Sequence, residues 1–281
     1  MKTLCDFIDW SLFFASWDIA GKYPQIFNHP QKGKVAKELF FDAQKMLSQL
    51  VEEKWLSARA VLGIYPAQRQ GDDIVFYHNN QRRQTLCTIL GLRQQHKQPK
   101  GRFNTALSDF IGAQETPDFA AMFALTAGLN IDEHLQDFAG DDYNQILLKA
   151  LADRLAEAAA EFLHFQVRTQ FWGYAPNETL NNEHLIAEKF QGIRPAPGDA
   201  ACPDHSQKRR IFAALNANEI GMALTDSTAM QPAASVCGLM IAHPLARYFA
   251  IPKIGEDQLL DWAARAKMAE QEARKWLTPI L

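Results

Sequence analysis

The stretch Arg194-Pro195-Ala196-Pro197-Gly198 constrains the backbone more tightly than any other part of this 281-residue chain. Each proline holds its own φ near about −65° and drives the residue before it toward extended geometry. Gly198 can turn where a Cβ would clash. The product is a stiff loop with a fixed cation at its head. Arg194 offers a planar fork of donors to a carboxylate, and the carbonyls of a proline-stiffened segment accept from an amine or a heterocycle. That chemistry suits a small zwitterionic ligand; the plainer alternative is a rigid loop with no ligand.

Around this loop the chain is ordinary globular material. Hydrophobic residues make up 47% of it and no low-complexity tract interrupts it, so it can bury a substantial core, as one domain or two. A net charge of −3 lacks the basic footprint of nucleic-acid binding, and Gln81-Arg82-Arg83-Gln84 and Arg209-Arg210 read as solvated surface. There is no run of about eighteen apolar residues for a membrane span. Met1-Lys2-Thr3-Leu4-Cys5-Asp6 leads into acidic and aromatic residues where a signal peptide has its apolar core, so a cytoplasmic protein is expected. Cys5, Cys87, Cys202 and Cys237 form no Cys-x-x-Cys pair, and the eight histidines, His184 and His205 beside the loop included, lack metal-ligand spacing. Reduced thiols and no metal are expected. A Gly-x-Gly-x-x-Gly fingerprint is absent from the sequence.

Apolar residues at Val35, Leu39, Phe40, Ala43, Met46, Leu47 and Leu50 predict an amphipathic helix over 34–55. Residues 58–65 and 73–77 read as a hairpin turned at Gly71-Asp72. A pattern free of Gly and Pro over 144–170 predicts the longest helix, with Leu147, Leu151, Leu155, Ala158 and Phe162 on one face. Strands are expected at 234–241 and 248–251, separated by His243-Pro244, and one closing helix over 256–277. Without βαβ alternation, an α+β fold with an antiparallel or mixed sheet is favoured.

The loop's neighbours carry a family signature. Phe171-Trp172-Gly173-Tyr174-Ala175-Pro176-Asn177-Glu178 and Ile186-Ala187-Glu188-Lys189-Phe190-Gln191-Gly192-Ile193 run into Arg194, and Ala201-Cys202-Pro203-Asp204-His205 follows. With Ile8-Asp9-Trp10, Ala20-Gly21-Lys22-Tyr23-Pro24, Gly71-Asp72-Asp73-Ile74, Leu92-Arg93-Gln94-Gln95, residues 149–157, His243-Pro244 and Trp276-Leu277-Thr278-Pro279, the sequence resembles the C-terminal activation domain of cobalamin-dependent methionine synthase over nearly its whole length. The resemblance implies a bent antiparallel or mixed sheet flanked by helices. It also implies one activation domain over 1–281 with no cobalamin, homocysteine or folate module.

It further implies S-adenosylmethionine as the ligand. Arg194 matches the family's arginine for the ligand carboxylate, although a surface ion pair would equally engage it. Ala196 matches the position whose main chain borders the adenine, or is a plain loop alanine, and Gly198 beside it is likewise expected at the ligand. Asp9 and Glu157 match two acidic contacts for an ammonium or ribose hydroxyls, with a local Glu157–Arg154 pair as the competitor. Tyr248 matches a tyrosine at the ligand and is otherwise a strand aromatic. The chain departs from the pattern at Asp199-Ala200, where the family has Tyr-Pro, and at Asp226, Thr228 and Gln231, where it has Glu, Phe and Trp. Asp199 either attracts the sulfonium or marks a remodelled site.

By resemblance the activity is reductive methylation of cob(II)alamin to methylcobalamin, in trans or within a longer enzyme. A flavodoxin-type donor supplies the electron, and cobalamin is held by a partner module. No catalytic acid or base is expected in this chain, because the cofactors carry the chemistry. The family's cobalamin loop, Asp-x-His-x-x-Gly, has only a coincidental echo in Asp132-Glu133-His134-Leu135-Gln136-Asp137. The alternative is a stand-alone paralogue that binds S-adenosylmethionine or another small ligand without methylating cobalamin.

Overall fold

A computed structural model describes residues 1–113 and 115–281. Two short helices, α1 (Lys2–Cys5) and α2 (Trp10–Ala15), precede the 20-residue α3 (Gly33–Glu52). The apolar stripe expected from sequence is buried there as Leu39, Ala43, Met46, Leu47 and Leu50. The hairpin follows as β1 (Ser57–Gln70) and β2 (Asp73–Tyr77), turned at Gly71 with φ +61°, then β3 (Thr85–Ile89) and β4 (Asp118–Leu129). α4 (Ile131–Asp137) leads to the 25-residue α5 (Asp142–Gln166), started by Asp141, whose side chain accepts the Asn144 N–H. α5 runs into a π turn at Val167–Phe171. α6 (Asn182–Ile186) and α7 (Gln207–Leu215) flank the proline loop. A two-residue ribbon, β5 (Ala223–Leu224) with β6 (Met230–Gln231), and β7 (Ser235–Met240) precede α8 (Glu256–Ala266) and α9 (Glu270–Leu277).

The main sheet has the order β3-β2-β1-β4-β7, with every pairing antiparallel. β4 lies inside it and is covered on both faces, so its apolar run shows no polar alternation. Ala121, Phe123, Leu125 and Ala127 face a core shared with α3 and α5. Ala120, Met122 and Ala124 face a second core that takes Ile211 and Leu215 from α7. A third cluster packs Leu259, Trp262, Ala273 and Leu277 of the last two helices on Leu90 and Leu92. Arg265 of α8 also pairs with Asp73 at the start of β2. Among the described residues no helix is long and apolar enough to cross a membrane.

Two expected elements differ. The closing helix is two helices, because Lys267 takes the left-handed conformation at φ +55° and ends α8. Its side pattern stays amphipathic on both pieces, which is why periodicity alone reads as one helix. The strand expected at 248–251 is irregular chain that bonds outward, with the Ile251 N–H donating to the Ala200 carbonyl. Aromatic and β-branched composition signals burial as readily as pairing.

The sheet also sets the proline loop. Ile193 bridges Ile241, and the Leu239 N–H donates 2.9 Å to the Pro195 carbonyl, so the loop lies along β7. Gly238 permits this approach: a Cβ there would stand 2.5 Å from the Pro195 carbonyl oxygen and 3.2 Å from Ala196 Cα. Gly238→Ala is expected to lower stability by about 1–3 kcal/mol, the usual cost of overpacking, read as an earlier urea midpoint at unchanged slope.

Candidate ligand site

α5 carries a stripe of polar residues beside its buried apolar face. Glu157, Glu161 and His164 recur at spacings of four and three residues and so share one face; Arg168 follows in the π turn. The π turn adds one residue per turn, a device concentrated at functional sites. Arg168 is fully buried there, and its Nε and Nη2 donate to Glu178 at 2.7 and 2.8 Å. Its guanidinium lies 4.2 Å from the Phe190 ring centre. Glu161 stands between two arginines, accepting from Arg194 Nη2 at 3.2 Å and lying 3.8 Å from Arg168.

Arg194 is thus placed from several sides. Nη1 lies 3.2 Å from His164 Nδ1, and its backbone N–H donates 2.9 Å to the Tyr248 hydroxyl oxygen. Burial, reinforced by Arg194 and Arg168, pushes the His164 pKa well below its ordinary value. The ring is therefore neutral. Because an arginine can only donate, Nδ1 is the acceptor and Nε2 carries the proton, 3.2 Å from the Tyr174 hydroxyl.

Arg194 opens onto two adjoining hollows with cavity volumes of about 150 and 330 Å³. Glu157, Glu188, Arg194 and Tyr248 line both. Asp9, Arg154, Glu161, Leu12, Ile186 and Phe190 complete much of the first; Ala196, Asp199, Val236 and Phe249 complete much of the second. Asp9, Glu157, Glu161, Glu188 and Asp199 set five carboxylates against the guanidiniums of Arg154 and Arg194. Among the described residues no cluster of His, Cys, Asp and Glu suits a metal ion.

The electrostatics agree with that excess. Glu157, Glu188 and Asp199 are solvent-exposed at their outer edges, yet the walls of the hollows crowd their carboxyls, and this partial desolvation raises all three pKa values above the ordinary range. Arg194 opposes the rise at each. For Tyr248, desolvation again raises the phenol and Arg194 opposes it.

The structure brings Asp9, Glu157, Arg194 and Tyr248 together around the first hollow, and Ala196 and Asp199 around the second. Asp9 has a second occupation, since its Oδ1 accepts from the Ser11 and Leu12 N–H groups and caps α2. Arg154 lines the first hollow beside Glu157 and pulls its pKa down less than Arg194 does. The main chain of Ala196 is already engaged: its N–H donates 2.8 Å to Asp199 Oδ2, and its carbonyl accepts from the Asp199 N–H at 2.9 Å. The amide expected to face a base edge is latched by the same residue that departs from the family pattern. Gly198 lies behind the site, at φ +111°, where a Cβ would meet the His205 ring at 2.3 Å.

Glu161, His164, Arg168, Glu178, Glu188 and Phe190 escaped the sequence reading. The α5 members were detectable as polar residues at helical spacing in an alanine-rich helix. The others come from the connection after α5, where no periodicity reports position. Asp226, Thr228 and Gln231 line neither hollow: Asp226 borders a separate surface hollow with Lys275 and Trp276, Thr228 is buried, and Gln231 pairs with Ala223. The cobalamin-loop echo does not fit its role either. It forms α4, with His134 stacked on Trp55 at 4.9 Å and bonded to Asp137.

Comparison with known proteins identifies the fold. A family model described as "Vitamin B12 dependent methionine synthase, activation domain" matches residues 1–267. The chain is also similar to a crystal structure of the MetH reactivation domain bound to AdoHcy, at 46% sequence identity and TM-score 0.95, with 100% of this chain and 87% of that one covered. A proline-stiffened loop, its arginine and an acidic double hollow thus sit on a fold shared across the whole chain, which belongs to the activation-domain family of vitamin B12-dependent methionine synthase.

Proposed function

We propose that the double hollow binds S-adenosylmethionine and that the chain, acting as one activation domain over 1–281, supports reductive methylation of cob(II)alamin to methylcobalamin. Cobalamin is held by a partner module of methionine synthase, in trans or within a longer chain, and a flavodoxin-type donor supplies the electron. The observation that carries this reading is the set of Asp9, Glu157, Glu188, Arg194 and Tyr248 around one ligand-sized groove in a member of this family. A relative that binds AdoHcy, the demethylated product, supports it. The chain's own work is binding and orientation: Arg194 for the carboxylate, the acidic walls for the ammonium and sulfonium, and the loop main chain for the base. The methyl acceptor, on this reading, lies outside these residues.

One observation favours the rival reading of a paralogue that binds the ligand without methylating cobalamin. Asp199 occupies the Ala196 amide and brings a carboxylate into the second hollow. An assay of reactivation with cobalamin-loaded methionine synthase separates the two: methyl incorporation supports the first reading, and ligand binding without it supports the second.

Calorimetry should show S-adenosylmethionine binding, and Arg194→Ala should weaken it by about 1.5–3 kcal/mol, the range for a hydrogen bond to a charged group. A flat titration of the folded wild type at millimolar ligand rejects the ligand. Asp199→Asn keeps an acceptor for the Ala196 N–H and removes the charge. It should therefore reduce the preference for S-adenosylmethionine over uncharged-sulfur AdoHcy several-fold, by loss of Coulomb attraction in a partly desolvated site. An unchanged ratio places Asp199 away from the sulfonium.

The raised carboxyls give a pH signature. A group whose pKa is raised by folding contributes stability below its unfolded value and loses it as pH climbs through the folded value. Glu157, Glu188 and Asp199 therefore favour the unliganded fold at acid pH, whereas a cationic ligand favours their ionised forms. The ligand-induced rise in Tm should grow from pH 5 to pH 7, reaching about 2.7 kcal/mol of stabilisation at a hundredfold excess over Kd. A rise that is equal at both pH values removes these groups from the site.

A further inference from the structure

Arg194 is held by two partners that no family motif points to, and both belong to α5. Glu161 takes Nη2 and His164 Nδ1 takes Nη1, each at 3.2 Å. A guanidinium has five N–H donors, so three remain for the groove, aimed by the two that are fixed. Resting on the S-adenosylmethionine reading above, we propose that Glu161 and His164 are positioning residues that aim Arg194 at the ligand carboxylate and so set the site's preference for ligands ending in an α-amino acid.

Charge order supports this role. Glu178, Arg168, Glu161 and Arg194 follow one another with alternating sign, and the row is neutral as it stands. The first two side chains are the more deeply buried, Glu178 at 5% exposure and Arg168 at 0%, against 13% for Glu161 and 15% for Arg194. Arg194 is the end that meets the groove, and a carboxylate is the group that extends the alternation. Removing Glu161 leaves two guanidiniums facing one another, which drives Arg194 out of register. His164 serves because it is neutral: a protonated ring would have no lone pair to offer, and burial, reinforced by the two flanking arginines, keeps it unprotonated. An arginine that is already held also loses less side-chain freedom when the ligand arrives.

The experiment uses the full chain and two ligands, AdoHcy and 5′-methylthioadenosine, which share adenosine and a thioether and differ in the amino-acid end. Calorimetry of the wild type should give AdoHcy an advantage of about tenfold or more. Glu161→Gln and His164→Leu should cut that ratio several-fold, mainly by weakening AdoHcy. His164→Asn should retain it, because its amide oxygen takes the place of Nδ1. Both His164 variants lose the Tyr174 contact, so a merely structural histidine would move them alike. A wild-type ratio in Glu161→Gln and His164→Leu overturns the proposal, as does equal loss in the two His164 variants; if Glu161→Gln fails to fold, the histidine pair decides.

A ligand-free measurement separates this idea from the ligand assignment. Nitrogen-15 NMR of labelled histidine should show His164 neutral with the proton on Nε2 at pH 6. Finding the proton on Nδ1, or a charged ring, overturns the positioning role. Failure of both ligands to bind a wild type with the expected tautomer overturns the S-adenosylmethionine reading, and with it the carboxylate preference, while leaving the hold on Arg194 established.

Discussion

The site depends on keeping two arginines inside the protein. Arg168 is fully buried, and Arg194 is mostly so. A buried guanidinium is tolerable only when its donors find acceptors. Glu178 supplies a two-pronged partner to Arg168, Glu161 bridges the pair, and His164 stays neutral to serve as an acceptor. Each solution constrains the next residue's position. The connection after α5 is held because Glu178 sits on it, and that same connection delivers Leu185, Glu188 and Phe190 to the groove wall. Even so, Glu161 Oε1 and Arg168 Nη1 are buried without a hydrogen-bond partner among the described residues.

The sheet and the loop solve a complementary problem. The proline segment must present Ala196 and Arg194 to a ligand while remaining rigid, and it has too few amides to form a strand of its own. It leans on β7 instead, through the Ile193–Ile241 bridge and the Leu239 N–H to Pro195 carbonyl bond. Asp199 closes the far side by bonding Ala196 twice. The residue that departs from the family pattern therefore acts first on the loop and second on the groove's charge, which links the two effects in any substitution there.

How much was legible in the sequence follows from the range of the forces involved. α3, α5 and the β1–β2 hairpin could be read because one apolar face or one turn determines them locally. The interior strand β4 could not: with both faces covered, Ala120 to Ala127 loses the alternation that marks a strand. The break at Lys267 was hidden because the amphipathic pattern persists on both sides. In the site, the Arg194–Gly198 loop could be singled out from its own chemistry, whereas Asp9, Glu157, Asp199 and Tyr248 were nameable only through family likeness; the structure places all but Gly198 on the walls of the hollows. Tyr248 reaches Arg194 across fifty-four positions of sequence, a distance no local pattern spans. Glu161 and His164 were legible in principle, as charged and polar residues in register on a helix otherwise made to be buried.

The π turn at the end of α5 makes this arrangement sensitive to chain length in a way that side-chain chemistry does not reveal. A helix rotates by about 100° per residue, so the wide turn over Val167–Phe171 acts as a phase adjuster between the helix that bears Glu157 and Glu161 and the chain that follows. Loss of a single residue there would return the turn to α geometry and swing Arg168 away from Glu178, although every charged partner would still be present. Homologous sequences that tolerate substitutions along α5 should therefore tolerate no change in the number of residues between Glu157 and Glu178, and chimaeras joined within this interval must preserve its count before its composition.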